Sequence, residues 1–120
     1  MAKLDNLNVV LDKINLLPSV RGSMVLSRGG LVIAAKLPKG LHEETFAAMV
    51  ATMAGAAQTA CMPLGVAEPR SITVDLGASA VVAQGAGSKG LAVVVVSDPL
   101  ALQNVVPALS PLCQEIKDIL

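Results

Sequence analysis

The side chains able to do chemistry are few and far apart. Gly85-Ala86-Gly87-Ser88-Lys89-Gly90 has GxGxxG spacing, which in a dinucleotide site leads from a strand into a helix whose first amides hold the pyrophosphate. Here it leads into LAVVVVS, a strand, so it reads as a hairpin loop with Lys89 a solvated charge. His42 is the only histidine and precedes Glu43 and Glu44. With no second imidazole and both cysteines far along the chain, it makes neither a metal ligand set nor a general base. The bland reading is an exposed helix start, where two carboxylates favour the positive end of the helix dipole. Cys61 and Cys113 are too few for a disulfide framework or a metal site, and are expected as buried or partly buried free thiols. Arg28-Gly29-Gly30 is a single turn, and no serine sits in a nucleophile elbow. Asp5, Asp12, Asp75, Asp98, Glu115 and Asp118 are scattered. No catalytic constellation emerges, and no cofactor or metal is expected.

Composition points elsewhere. Hydrophobic residues make up 53% of the 120 positions and charged ones only 15%, against about a quarter charged in ordinary soluble domains. A domain this small has too much surface for its volume to hide that apolar excess alone. Burial against a second subunit is the simplest remedy. Nine basic and nine acidic residues cancel, and Phe46 is the sole aromatic. A phosphate-binding footprint and a base-stacking platform are both missing, which excludes a nucleic-acid binder. MAKLDNLN carries charge and asparagine where a signal peptide needs an apolar run, so a cytoplasmic setting is expected. The uncharged run between Glu44 and Glu68 is long enough to span a bilayer, but Ala, Gly, Thr and Gln dominate it. It reads as a helix covered by protein, not as a membrane span.

The elements follow from periodicity. Leu4, Leu7, Leu11, Ile14 and Leu17 predict a helix over 3–17, stopped by Pro18. Val20 to Ser27 and Leu31 to Lys36 form a hairpin about Arg28-Gly29-Gly30. A second helix is predicted from about His42 to Met62, ended by Pro63 and Gly65. Arg70 to Leu76 alternates as a half-covered edge strand and turns at Gly77-Ala78 into Ser79 to Gln84. Gly90 to Ser97 is apolar on both faces and belongs at the centre of the sheet. Pro99 to Leu120 is helical in spacing, with Pro107 and Pro111 expected to kink or divide it. Short links between strands impose antiparallel pairing within a single domain spanning 1–120.

The second helix is the unusual element. Phe46, Met49, Val50, Met53, Ala57 and Cys61 share the face with the large side chains, which is expected against the sheet. Ala47, Ala51, Ala54 and Gln58 line one flank, and Ala48, Thr52, Gly55 and Thr59 an outward side where charges would be usual. Small residues admit a neighbouring backbone, and close packing would offset the cost of about 1 kcal/mol for a mid-helix glycine. The flank is therefore expected to meet its symmetry mate in a dimer, and the outward side to bind a third protein.

The segment LPSVRGSMVLSRGGLVIAAKLP, with Gly30-Leu31 at its turn, and the Ala-rich EETFAAMVATMAGAAQTA resemble the Roadblock (dynein light chain) family. RSITVDLG, the glycine loop and LAVVVVS continue the same order, so the resemblance spans nearly the whole chain; the prolines of the last helix depart from it. It implies an α/β fold: a five-stranded antiparallel sheet with one helix on one face and two on the other, profilin-like. It further implies a dimer joined at helix 2 and at the third strand, which places Ser71, Ile72, Thr73, Val74 and Asp75 in the interface. Family members act as scaffolds on motors or lysosomal complexes and, in prokaryotes, as regulators of Ras-like small GTPases. The bacterial polarity regulator of the family accelerates GTP hydrolysis by its partner without itself hydrolysing anything. A domain without tails resembles the prokaryotic type. The expected function is thus a non-catalytic homodimeric module that docks and regulates a Ras-like GTPase; the alternative is a purely structural dimerising adaptor.

Overall fold

A computed structural model describes residues 2–65 and 68–120. Helix α1 (Ala2–Asn15) leads to strands β1 (Val20–Ser27) and β2 (Val32–Lys36), then helix α2 (Glu43–Cys61) with a short 3-10 turn at Met62–Leu64. Strands β3 (Ser71–Asp75), β4 (Ala80–Gly85) and β5 (Gly90–Val96) follow, and a 3-10 turn at Pro99–Ala101 opens helix α3 (Leu102–Ile119). The sheet is antiparallel throughout in the order β2-β1-β5-β4-β3.

β5 lies at the centre because neither of its faces is polar. Ala92, Val94 and Val96 enter one core with Leu7, Leu11 and Ile14 of α1 and Leu109, Cys113 and Ile116 of α3. Leu91 and Val93 enter a second core on the opposite face, with Met24, Leu26, Val81, and Ala47 and Val50 of α2. Two helices on one face and one on the other is the layering that such two-sided strands require. α1 ends at Asn15, short of the predicted Leu17. Its last turn tightens, Leu17 donating to the Ile14 carbonyl at 3.0 Å, and Ser19 then takes a left-handed φ of 70° just after Pro18.

One buried polar link was not visible in the sequence. Ser23, fully buried on β1, donates from Oγ to Asn15 Oδ1 at 2.6 Å, while Asn15 Nδ2 donates to the Lys36 carbonyl at 3.1 Å. The end of α1 is thereby tied to both strands of the first hairpin.

The expected division of α3 does not occur: the helix runs unbroken through Pro107 and Pro111. Each proline removes the amide that would bond four residues back. The carbonyls released are those of Gln103 and Pro107, both on exposed residues, so water can serve them and the helix need not divide. Asp98 starts this segment, its Oδ1 accepting from the Leu100 amide at 3.0 Å.

Candidate functional site

The glycine motif is the β4–β5 hairpin loop, closed by the Ala86 amide donating to the Gly90 carbonyl at 3.0 Å. No helix follows it. His42 is the exposed residue just before α2. Both cysteines are free thiols; Cys61 is half-buried and Cys113 buried, and burial pushes the Cys113 thiol up from 9.0 to about 11. A thiol kept protonated in this way is a core side chain, not a nucleophile.

The accessible features lie on α2 and β3. α2 does not sit as its large residues suggested. Ala47 and Val50 are buried on the sheet, with Phe46, Ala51 and Ala54 packed around them, whereas Met49 is 59% exposed. The alanine flank faces inward because the space is already occupied. Met24, Leu26, Val81, Leu91 and Val93 fill that face of the sheet. The helix also passes directly over the β1–β2 turn. A Cβ on Gly30 would stand 3.1 Å from Ala48 Cα and 3.3 Å from Ala51 Cβ. Only short side chains fit such an approach at native packing density.

This corrects part of the expected interface. Ala47 is 0% exposed and has no surface to offer a symmetry mate. Ala51 and Ala54 are half-buried against their own strands, and Ala48, whose backbone lies against Gly30, is only partly exposed. Thr52, Gly55, Gln58 and Thr59 are exposed, and space is open around Gly55. Thr52 turns its hydroxyl back to the Ala48 carbonyl at 2.8 Å. Together with Thr45, Met49 and Ala56 they form an outer face without a charged side chain. By length and composition the helix Glu43–Leu64 could cross a membrane, but here one side of it lies on the sheet.

β3 is bonded to β4 alone. The Leu76 amide donates to Ser79, and the Gly85 amide to Arg70. Antiparallel alternation then directs the groups of Ile72 and Val74 to β4, and those of Ser71, Thr73 and Asp75 to the open edge. Ile72 and Val74 share the α2 side of the sheet with their partners Ala83 and Val81, and both remain half-exposed. Phe46, Leu76, Val81 and Val95 line an apolar trough beside them, rimmed by Arg21 and Lys39. An unpaired strand edge beside an apolar trough and an uncharged helix face can bind protein.

No curated protein matches the chain. Among solved structures, MglB in a tetrameric arrangement superposes with a TM-score of 0.90 at 24% identity, covering 99% of this chain and 90% of that one. The gliding protein MglB of Thermus thermophilus gives 0.89 at 24%, covering 99% and 91%. Myxococcus xanthus MglB gives 0.90 at 15%, covering 99% and 90%. At these identities the likeness is one of fold. The sequence itself matches the Roadblock/LC7 domain over residues 7–96, and with the helix and strand order described above, the chain belongs to the Roadblock/LC7 family.

Proposed function

We propose that the chain is a non-catalytic, homodimeric protein-binding module of the cytoplasm that docks a Ras-like small GTPase and modulates its GTP hydrolysis. The observation carrying this reading is the outer face of α2, which exposes Met49, Thr52, Gly55, Ala56 and Thr59 and bears no charge between Glu44 and Glu68. A solvated helix face is normally charged; an uncharged one of this length is suited to burial by another protein. In the dimer, β3 pairs with its twofold copy, and the exposed parts of the two α2 helices form one platform over the junction. A twofold centred on Thr73 sets Ser71 of one protomer opposite Asp75 of the other and joins all the outward groups of Ser71, Thr73 and Asp75. MglB, whose fold this chain shares, supports the GTPase reading through the role of prokaryotic members of the family.

The test is affinity purification of the tagged chain from its native cells with GTP or GDP analogues added, followed by mass spectrometry. A Ras-like GTPase retained mainly in the GTP-like state is expected, and its hydrolysis rate is then measured with and without the chain. A partner indifferent to nucleotide would overturn the regulatory reading in favour of a structural adaptor.

A further inference from the structure

On the face of the sheet opposite α2, at the end where the β1–β2 and β4–β5 turns meet α3, lies a polar cavity of about 360 Å³. Arg28, Arg70 and Lys117 line it, three of the nine basic residues of a chain with no net charge. Glu68 is the one acidic residue of the lining, 3.7 Å from Arg28 at an exposed position. Charge is therefore sorted: a neutral molecule holds a cationic hollow.

The hollow is organised. Arg28 is fixed by the β4–β5 loop, Nη2 and Nε donating to the Gly87 carbonyl at 2.7 and 3.3 Å. The loop glycines leave room for the basic side chains. A Cβ on Gly87 would lie 2.8 Å from Lys117 Cγ, and one on Gly85 3.1 Å from Arg28 Nη2. Gln84, only 9% exposed, also lines the cavity. Its Nε2 donates weakly to Ser110 Oγ at 3.4 Å, and its Oε1 is buried without a hydrogen-bond partner. An orphaned buried acceptor has lost its water without gaining a partner, so a group that brings a donor to it would be favoured.

We propose that this cavity binds an acidic peptide segment of a partner protein. Its carboxylate pairs with Arg70 and Lys117, and a backbone N–H donates to Gln84 once that side chain turns toward the ligand. The mixture of groups selects the ligand. Inorganic phosphate meets the cations through a single compact centre, whereas a peptide brings a carboxylate and, separately along its backbone, N–H donors for Gln84 and for the Gln114 amide oxygen. The cavity lies on the α3 side of the sheet beside the start of β3, apart from the outer face of α2. The proposal rests on the protein-binding reading above but requires no GTPase.

The test is an NMR titration of the ¹⁵N-labelled full chain with three probes: the capped peptide Gly-Glu-Asp-Gly, its neutral counterpart Gly-Gln-Asn-Gly, and inorganic phosphate. The acidic peptide is expected to shift the Gly85 and Gly87 amides and the Gln84 side-chain amide, and the neutral peptide to leave them in place. R70Q combined with K117Q, both at exposed positions, should weaken the acidic peptide at least about tenfold. No shift with the acidic peptide, or equal shifts with both peptides, overturns the proposal. Phosphate acting as strongly as the acidic peptide would reduce the cavity to a bare anion site and overturn the peptide assignment. Sedimentation of the same double variant separates the two readings: an unchanged dimer that has lost the peptide places the effect in the cavity alone.

Discussion

Single residues set two measurable properties of this fold. Cys113 is 4% exposed, and its thiol titrates at about 11 instead of 9.0 because burial disfavours the thiolate. The unfolded chain loses that proton first as pH rises past 9, so the unfolded state is favoured between about pH 9 and pH 11. The loss should reach about 2 kcal/mol near pH 10.5. Urea unfolding at pH 8 and at about pH 10.5 should show this decline, and C113A should remove that part of it; equal declines in both proteins would refute it. Gly30 makes the second case. Its φ is 96° and its missing Cβ faces Ala48 and Ala51, so G30A should cost about 1–3 kcal/mol through backbone strain and crowding. Its neighbour Gly29 has only Ser27 Oγ at 3.8 Å and no left-handed φ. G29A should therefore be close to neutral, and similar losses at the two positions would contradict the packing of α2 on this turn.

At the scale of elements, what was legible depended on how local the cause was. The strand of Val20 to Ser27 and the central place of the GLAVVVV strand follow from alternation and two-sided apolarity, and both are as predicted. The rotation of α2 was not legible. It depends on Met24, Leu26 and Gly30, which lie before the helix in sequence but beneath it in space. Side-chain size alone assigned Met49 inward, and the sheet surface reversed that. The cationic cavity was hidden for the same reason, since Arg28, Arg70, Gln84 and Lys117 come from four distant segments. The open β3 edge yields a prediction of its own. The Thr73 amide points outward and that of Ile72 toward β4, so proline should act differently at the two sites. T73P should keep the protomer folded by circular dichroism while weakening the proposed dimer at least about tenfold in sedimentation equilibrium. I72P should destabilise the protomer itself. A fully dimeric T73P protein would remove β3 from the interface.

Across the whole molecule, apolar and charged surfaces are segregated, and this separates two kinds of association by their response to salt. The outer face of α2, strand β3 and the apolar trough beside it contribute Met49, Ala56, Ile72, Val74 and Leu76. Burying them involves little Coulomb energy, so the proposed dimer should hold its strength or tighten as NaCl is raised from roughly 0.05 to 1 M, because screening has little to weaken. The cationic cavity is the opposite case. Its three basic side chains are opposed by Glu68 alone, and over the same range an acidic ligand should lose most of its affinity as the Debye length shrinks from above 10 Å to about 3 Å. Sedimentation and the peptide titration, each repeated across that salt series, give the two slopes. A dimer that dissociates with salt would mean that charged groups, and not the uncharged helix face, hold the protomers together. The scarcity of charge would then lose its explanation, since a surface so poor in charge is what made a covering subunit necessary.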